Sequence, residues 1–249
     1  MKIAIIGYGK MGHMIEEVAL SRGHEIVCRI EPTPTLPEGK EIYSPEVGFQ
    51  SEAFRSADVA IEFTTPATAE ENIRKAWAQG VPVVCGSTGW NAAALMDEDR
   101  RTHDKQMLVW SSNYSVGVNI FFEVNKLLAE EMASQPQYTP SITETHHIHK
   151  LDKPSGTAKT LAEQIENELP SLQGEGLSPI ERPVDGRRTN LEGRLPIESI
   201  REGEVPGTHE VKWDSEEDTI IITHIAKGRR GFALGAVLAA EDIYKEKNI

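Results

Sequence analysis

The hydrophobic pattern of the chain changes character about halfway along. Up to Trp110, short unbroken apolar runs alternate with stretches whose apolar residues recur every three or four positions. The runs are Lys2–Ile6, Glu25–Ile30, Asp58–Phe63, Val81–Cys85 and Met107–Trp110, each of the length and composition of a strand buried on both faces. Between them, Met11, Met14, Ile15, Val18 and Ala19 form a helical stripe, and two further helices are predicted at about 67–79 and 92–103. Strands alternating with helices predict an open parallel sheet. Residues 32–50, with four prolines and two glycines, read as a surface connection rather than an element.

Past residue 115 the order is different. Val116, Ile120, Val124, Leu127 and Leu128 predict a helix over Val116–Met132. A strand follows over Pro140–His146. Ser155 then reads as the N-cap of a helix carrying Ala158, Leu161, Ala162, Ile165 and Leu169. Residues 170–194 are rich in glycine and proline and read as mobile or substrate-facing. Three β-like runs, Leu195–Arg201, Gly207–Trp213 and Thr219–Ile225, are separated by short turns and are expected to be antiparallel neighbours. A last helix, Gly231–Tyr244, returns to cover the first sheet. The division predicted is residues 1–114 plus 226–249 as a dinucleotide-binding domain, and 115–225 as a substrate-binding and oligomerisation domain. A mixed sheet with few covering helices leaves one face bare, which predicts a homo-oligomer.

The first strand runs directly into Gly7-Tyr8-Gly9-Lys10-Met11-Gly12, and Glu31 closes the second strand 19 residues beyond Gly12. Each part has a mechanical task. Gly7 permits a tight turn, Gly9 admits a pyrophosphate close to the backbone, and Gly12 lets helix and strand pack closely. Glu31 can accept from the adenosine ribose hydroxyls. A carboxylate there repels a 2′-phosphate and favours NADH, whereas Lys10 and Arg29 could reach a phosphate, so NADPH stays possible. The fold class is α/β, with an N-terminal Rossmann-type doubly wound parallel sheet and a second α+β domain on a mixed, partly open sheet. In such sheets ligands lie beyond the carboxyl ends of the strands. Three of those ends are small or hydrogen-bonding: Phe63-Thr64-Thr65-Pro66, Gly86-Ser87-Thr88-Gly89 and Ser111-Ser112-Asn113-Tyr114.

The densest chemistry lies at Thr145–Ala158, where His146, His147, His149, Lys150 and Lys153 precede Pro154-Ser155-Gly156-Thr157. If the strand runs on to Lys150, its period of two puts His146 and Lys150 on one face. A proton-transferring imidazole, an ammonium and an anion-binding helix end then converge, which suits a small carboxylate substrate. A metal site on His147 and His149 is a second reading. Exposed, merely solvated histidines are a third.

Composition narrows the partners. A formal charge of −13 argues against nucleic acid or an anionic membrane. Cys28 and Cys85 lie in apolar runs and read as buried thiols of a reducing, cytoplasmic compartment. No secretory signal and no membrane-length apolar run is read.

The segment Glu144–Ala158 closely resembles the signature of the 4-hydroxy-tetrahydrodipicolinate (dihydrodipicolinate) reductase family. The likeness extends to Gly7–Gly12, Phe63–Pro66, Gly86–Trp90 and Asn113–Asn119. The resemblance implies reduction of a cyclic imine dicarboxylate by NAD(P)H, in a homotetramer, on the diaminopimelate route to lysine. It assigns His146 and Lys150 to proton donation, and His147, Gly156 and Thr157 to substrate. It assigns Gly7, Tyr8, Gly9, Lys10, Met11, Gly12, Glu31, Gly86, Ser87, Thr88, Ser111, Ser112, Asn113 and Tyr114 to the cofactor; no metal is implied. One departure is that Pro32 follows Glu31, where many members carry an arginine for the 2′-phosphate. Residues 31–55 and 170–215 look shortened and divergent, so no role is carried onto them. The rival readings are another nicotinamide dehydrogenase, acting on an amino acid or sugar, and a non-catalytic dinucleotide sensor.

Overall fold

The computed structural model describes residues 1–32, 41–103, 105–169 and 195–247. It divides into two compact units, Met1–Val116 with Arg229–Ile249, and Gly117–Gly228. The section 170–194 lies outside the described residues.

The first unit holds β1 (Lys2–Ile6), α1 (Lys10–Ser21), β2 (Glu25–Ile30), α2 (Pro45–Gly48), α3 (Glu52–Arg55), β3 (Val59–Glu62), α4 (Ala69–Trp77), β4 (Val83–Cys85), α5 (Ala92–Thr102) and β5 (Leu108–Trp110). The five strands form one sheet in the order β2-β1-β3-β4-β5, every pair parallel. The unbroken apolar runs are explained by burial on both faces. Ile3, Ile5 and Ile61 pack on one side, and Ala4, Ile6 and Ile30 on the other. Part of the 32–50 connection is an element after all. Tyr43 pairs with Ile30, α2 follows at once, and Ile42 and Phe49 are buried. The prolines masked an apolar pair that the sheet needed as edge cover.

The last helix, α8 (Arg230–Lys247), lies on this sheet. Ala233, Ala236, Val237, Ala240 and Ile243 share a core with Ile5, Ile15 and Ile61. Arg22 and His24 hold its Glu241 at 2.6 and 2.8 Å. The close seat of α8 comes from Gly235, where a β-carbon would stand 1.6 Å from the Tyr114 carbonyl oxygen.

The second unit contains α6 (Val116–Met132), β6 (Thr139–His146), α7 (Gly156–Glu168), β7 (Ile197–Arg201), β8 (Thr208–Asp214) and β9 (Thr219–Ile225). Its sheet runs β7-β6-β8-β9, with β6 and β7 parallel and the other pairs antiparallel. The expectation that the three late strands neighbour one another holds for β8 and β9 only. β7 and β8 flank β6 instead, and the buried residues on one face of β6 meet residues of both neighbours, Ile142 facing Ile197 and Val211. Ile142 pairs with Val211 and Ile197, and these pack with Leu161, Ile165 and Trp213 under α7. Each such aliphatic side chain contributes ~1.5–3 kcal/mol by burial. The opposite face is open: Ile221 and Ile225 are more than half exposed. α6 buries Val118, Phe121, Asn125, Ala129 and Met132. The stripe that signalled the helix, Val116, Ile120, Val124 and Leu127, is its exposed face.

The two glycines at the start of α8 give a contrasting test. Gly235→Ala forces a backbone clash and is expected to cost about 1–3 kcal/mol or more. Gly231→Ala meets only an ordinary contact, 3.7 Å from Ser115 Oγ, and is expected to stay within about 0.5 kcal/mol of the parent. Thermal unfolding midpoints check this; equal losses would contradict the packing described.

Candidate active site

At the carboxyl end of β1 the chain turns at Gly7 with a φ of +90, and a β-carbon there would stand 2.2 Å from the Phe63 carbonyl oxygen. A β-carbon on Gly12 would stand 2.4 Å from the Gly7 carbonyl oxygen, so α1 is pressed against the turn. On Gly9 it would meet nothing within 4 Å. Gly9 is the N-cap of α1 and brings no side-chain hydrogen bond to it. The first-turn N–H groups are therefore left for an anion, with open space where one would lie. These features fit a dinucleotide pyrophosphate. An open cleft of about 610 Å³ beside them is lined by Tyr8, Gly9, Lys10, His13, Glu31 and Arg229, among others. Met11 is half-buried in the first turn of α1. Glu31 sits at the loop itself, its Oε2 accepting from the Tyr8 N–H at 2.7 Å. Arg29, a candidate for a phosphate, is turned inward. It donates to both oxygens of buried Glu16, at 3.2 and 2.8 Å.

The ends of β3 and β4 are tied together by a buried carboxylate, and β5 is joined to them by a tyrosine hydroxyl. Glu62 is fully buried and accepts from the Thr64 N–H at 3.1 Å and the Cys85 thiol at 3.0 Å. Thr64 N–H also donates to Ser87 Oγ at 2.9 Å. The Tyr114 hydroxyl lies 3.0 and 2.9 Å from the carbonyl oxygens of Cys85 and Val109. So the Ser87 and Tyr114 hydroxyls, both expected at the cofactor, are used inside the fold. Gly86 gives room to the Phe63 ring, whose edge would be 2.1 Å from a β-carbon. Ser111 closes a turn with Asn113, while Thr88 and Ser112 are exposed at the rim.

In the second unit, β6 ends at His146, and His147 to Lys150 form a turn in which the Lys150 N–H donates to the His147 carbonyl at 3.1 Å. This corrects the extended strand considered from the sequence: period two does not bring His146 and Lys150 together. It also frees His147 from the opposite sheet face. The loop is held by a side chain that sequence reasoning left out. Arg201 at the end of β7 donates to the carbonyls of Lys150 at 3.2 Å and Asp152 at 2.6 Å, and to Glu144 Oε1 at 3.1 Å. Lys150 Nζ donates to both oxygens of Asp152, at 2.8 and 2.9 Å. The α7 start is as expected. Ser155 caps it by accepting from the Ala158 N–H at 3.2 Å, and Gly156, exposed, and Thr157, half-buried, occupy its first turn.

Glu144 is the centre of this arrangement. Fully buried, it points with His146 to the α7 side of the sheet. Its Oε1 also accepts from the Ser155 N–H at 3.2 Å, and its Oε2 lies 2.9 Å from His146 Nδ1, at an angle off that of an ideal hydrogen bond. Burial acts to raise its pKa, but the polar contacts of His146, Ser155, Ser199 and Arg201 outweigh burial and hold the carboxyl far below the usual range. His209, opposite Glu144 on β8, has its Nε2 3.1 Å from Ser155 Oγ. Burial, and then the charge on His146, push His209 down to about 4, so it is neutral near pH 7. Gly207 passes beside the other edge of His146, where a β-carbon would come within 3.1 Å of Nε2.

Glu144, Arg201, Gly207 and His209 were absent from the sequence-based site. Glu144 was within reach, since it precedes His146 by two positions and so shares its face. The other three come from 195–215, where the family likeness was too weak to carry a role. Among the described residues the trio with metal-compatible spacing is Glu144, His146 and His209, not His147 and His149. The Arg201 cation and the Ser155 N–H hold one oxygen of its carboxylate, Oε1, and His209 Nε2 faces Ser155 Oγ.

Comparison with known proteins places this geometry. Residues 1–114 match the family described as dihydrodipicolinate reductase, N-terminus, and residues 117–249 that described as dihydrodipicolinate reductase, C-terminus. A 4-hydroxy-tetrahydrodipicolinate reductase of Christiangramia forsetii is 40% identical over 97% of this chain and 91% of its own. One of Archaeoglobus fulgidus is 34% identical over 98% and 95%. The fold is shared with a dipicolinate-bound dihydrodipicolinate reductase from Paenisporosarcina sp. TG-14, at a TM-score of 0.80 and 23% identity over 99% of this chain and 96% of that one. The chain therefore belongs to the dihydrodipicolinate reductase family.

Proposed function

We propose that this chain reduces 4-hydroxy-tetrahydrodipicolinate, a cyclic imine dicarboxylate, to tetrahydrodipicolinate with NAD(P)H, on the diaminopimelate route to lysine. The observation that carries this reading is the Glu144–Ala158 signature, folded around a buried carboxylate in a chain that matches the family over both halves. The dinucleotide, when bound, supplies the hydride. Gly7 to Gly12 present the α1 N–H groups to its pyrophosphate, Glu31 stands at the adenosine ribose, and the rims after β4 and β5 face the nicotinamide. His146 supplies the proton that completes the reduction. Lys150 offsets negative charge developing on the substrate and binds one carboxylate. The α7 N–H groups and the Thr157 hydroxyl hold the other carboxylate, with His147 beside it. In a chain of net charge −13 this loop supplies the local positive charge that a dianion requires.

NADH is the better cofactor in this reading. Glu31 repels a 2′-phosphate, and Arg29, engaged with Glu16, has no reach toward one. Lys10 and Arg229, which line the cleft, keep NADPH usable. The protein works in the cytoplasm as a homotetramer. Its assembly is supported by the open face of the second sheet and the exposed stripe of α6.

The substrate is supplied in situ by a dihydrodipicolinate-forming synthase, and absorbance at 340 nm is followed with each cofactor in turn. Oxidation with both, at a higher kcat/KM for NADH, is expected; no oxidation with either overturns the function. His146→Gln and Lys150→Ala are each expected to lower kcat by about 10²–10⁴-fold, the scale of a positioned proton donor. Near-parent turnover in either would remove that assignment. Sedimentation at micromolar concentration is expected to show a tetramer, and a monomer would remove the assembly.

A further inference from the structure

We propose that Glu144 is the positioning residue of the proton donor: it fixes His146 with Nδ1 toward the carboxylate, leaving Nε2 to gain and give the catalytic proton. The inference rests on the reading of His146 as the proton donor. Three observations carry it. Glu144 Oε2 stands 2.9 Å from His146 Nδ1, and the carboxylate is fully buried, so water does not compete for that nitrogen. Its other oxygen is held by Arg201 and the Ser155 N–H, which fix the carboxylate in place as an anion. The backbone on the Nε2 side is Gly207, which brings no side chain of its own to that edge.

An imidazole facing a buried carboxylate through Nδ1 keeps its proton there and takes up its second proton at Nε2. The doubly protonated ring is the form a general acid needs. The other groups facing this pair do not replace it. His209 on β8 is neutral and directed at Ser155. His224, paired with His209 from β9, has its own pKa lowered by burial. The Arg201 cation is engaged with Glu144, and the Lys150 cation with Asp152. Arg201 acts as a fastener, joining Glu144 to the backbone of the Lys150–Asp152 loop.

The sign of the pH effect follows. A general acid is lost as pH rises and it deprotonates. Removing the adjacent anion makes the protonated ring less stable, so activity falls at lower pH. In Glu144→Gln, kcat is expected to drop by about 10²-fold, with the KM for imine and for NADH within about threefold. The alkaline limb of its pH profile should move to lower pH. Glu144→Asp keeps the charge and is expected to keep the limb. In a His146→Gln background, neither change at 144 should cost further rate, because the residue acts through His146. This cycle works with whichever variant at 144 folds, judged by circular dichroism. An unmoved limb in Glu144→Gln, or an undiminished rate loss without His146, overturns the proposal. Near-parent activity of His146→Gln alone overturns the underlying assignment instead.

Discussion

One carboxylate that water cannot reach sets the shape of the second unit's chemistry. Removing an ionised Glu144 from solvent costs several kcal/mol, and the cost is tolerable only where charge and hydrogen bonds replace the water. The fold supplies them from three elements: Arg201 at the end of β7, the Ser155 N–H at the start of α7, and His146 two residues along β6. Each partner is pinned by the bargain. Arg201 can then grip the Lys150 and Asp152 carbonyls, which gives a loop without regular structure a defined path. Ser155 caps α7, which leaves Gly156 and Thr157 in its first turn.

The first unit meets a similar demand by steric means. Gly7, Gly12 and Gly86 occupy places where a β-carbon would overlap neighbouring atoms, so α1 and the ring of Phe63 come close to the strand ends. Gly9 faces open space, so no packing contact requires its lack of a side chain. Buried Glu62 repeats the device of the second unit, drawing Thr64 and Cys85 together beneath the rim. In both units a buried acid orders the loops, and the groups that would meet ligand stand at the surface of that order.

Much of this was legible in the residues. Apolar runs located all five strands of the parallel sheet, because the inner strands β1, β3 and β4 are buried on both faces and carry few polar residues. The capped start of α7 and the three late strands were also readable. Local pattern did not reach pairing. It could not tell that β7 and β8 take opposite sides of β6, since that choice is made by the inward residues of a strand fifty positions away. Nor did it show which stripe of α6 is buried, because Asn125 is hidden through hydrogen bonds to Leu161 and Gln164 while Ile120 and Leu127 stay exposed. The site followed the same division. His146, Lys150, Gly156 and Thr157 stand in one short segment. Arg201, Gly207 and His209 act on that segment from elsewhere in the chain, and only the sheet register brings them to it.

The mechanism turns on His146 keeping its resting proton at Nδ1, toward the carboxylate, and leaving Nε2 to exchange the catalytic one. ¹⁵N-histidine-labelled protein, with His146 assigned by comparison with His146→Gln, reports this directly above the pH at which the ring titrates. The account predicts a protonated, pyrrole-type signal for Nδ1 and a pyridine-type signal for Nε2. The opposite tautomer, or an even mixture of the two, would contradict it.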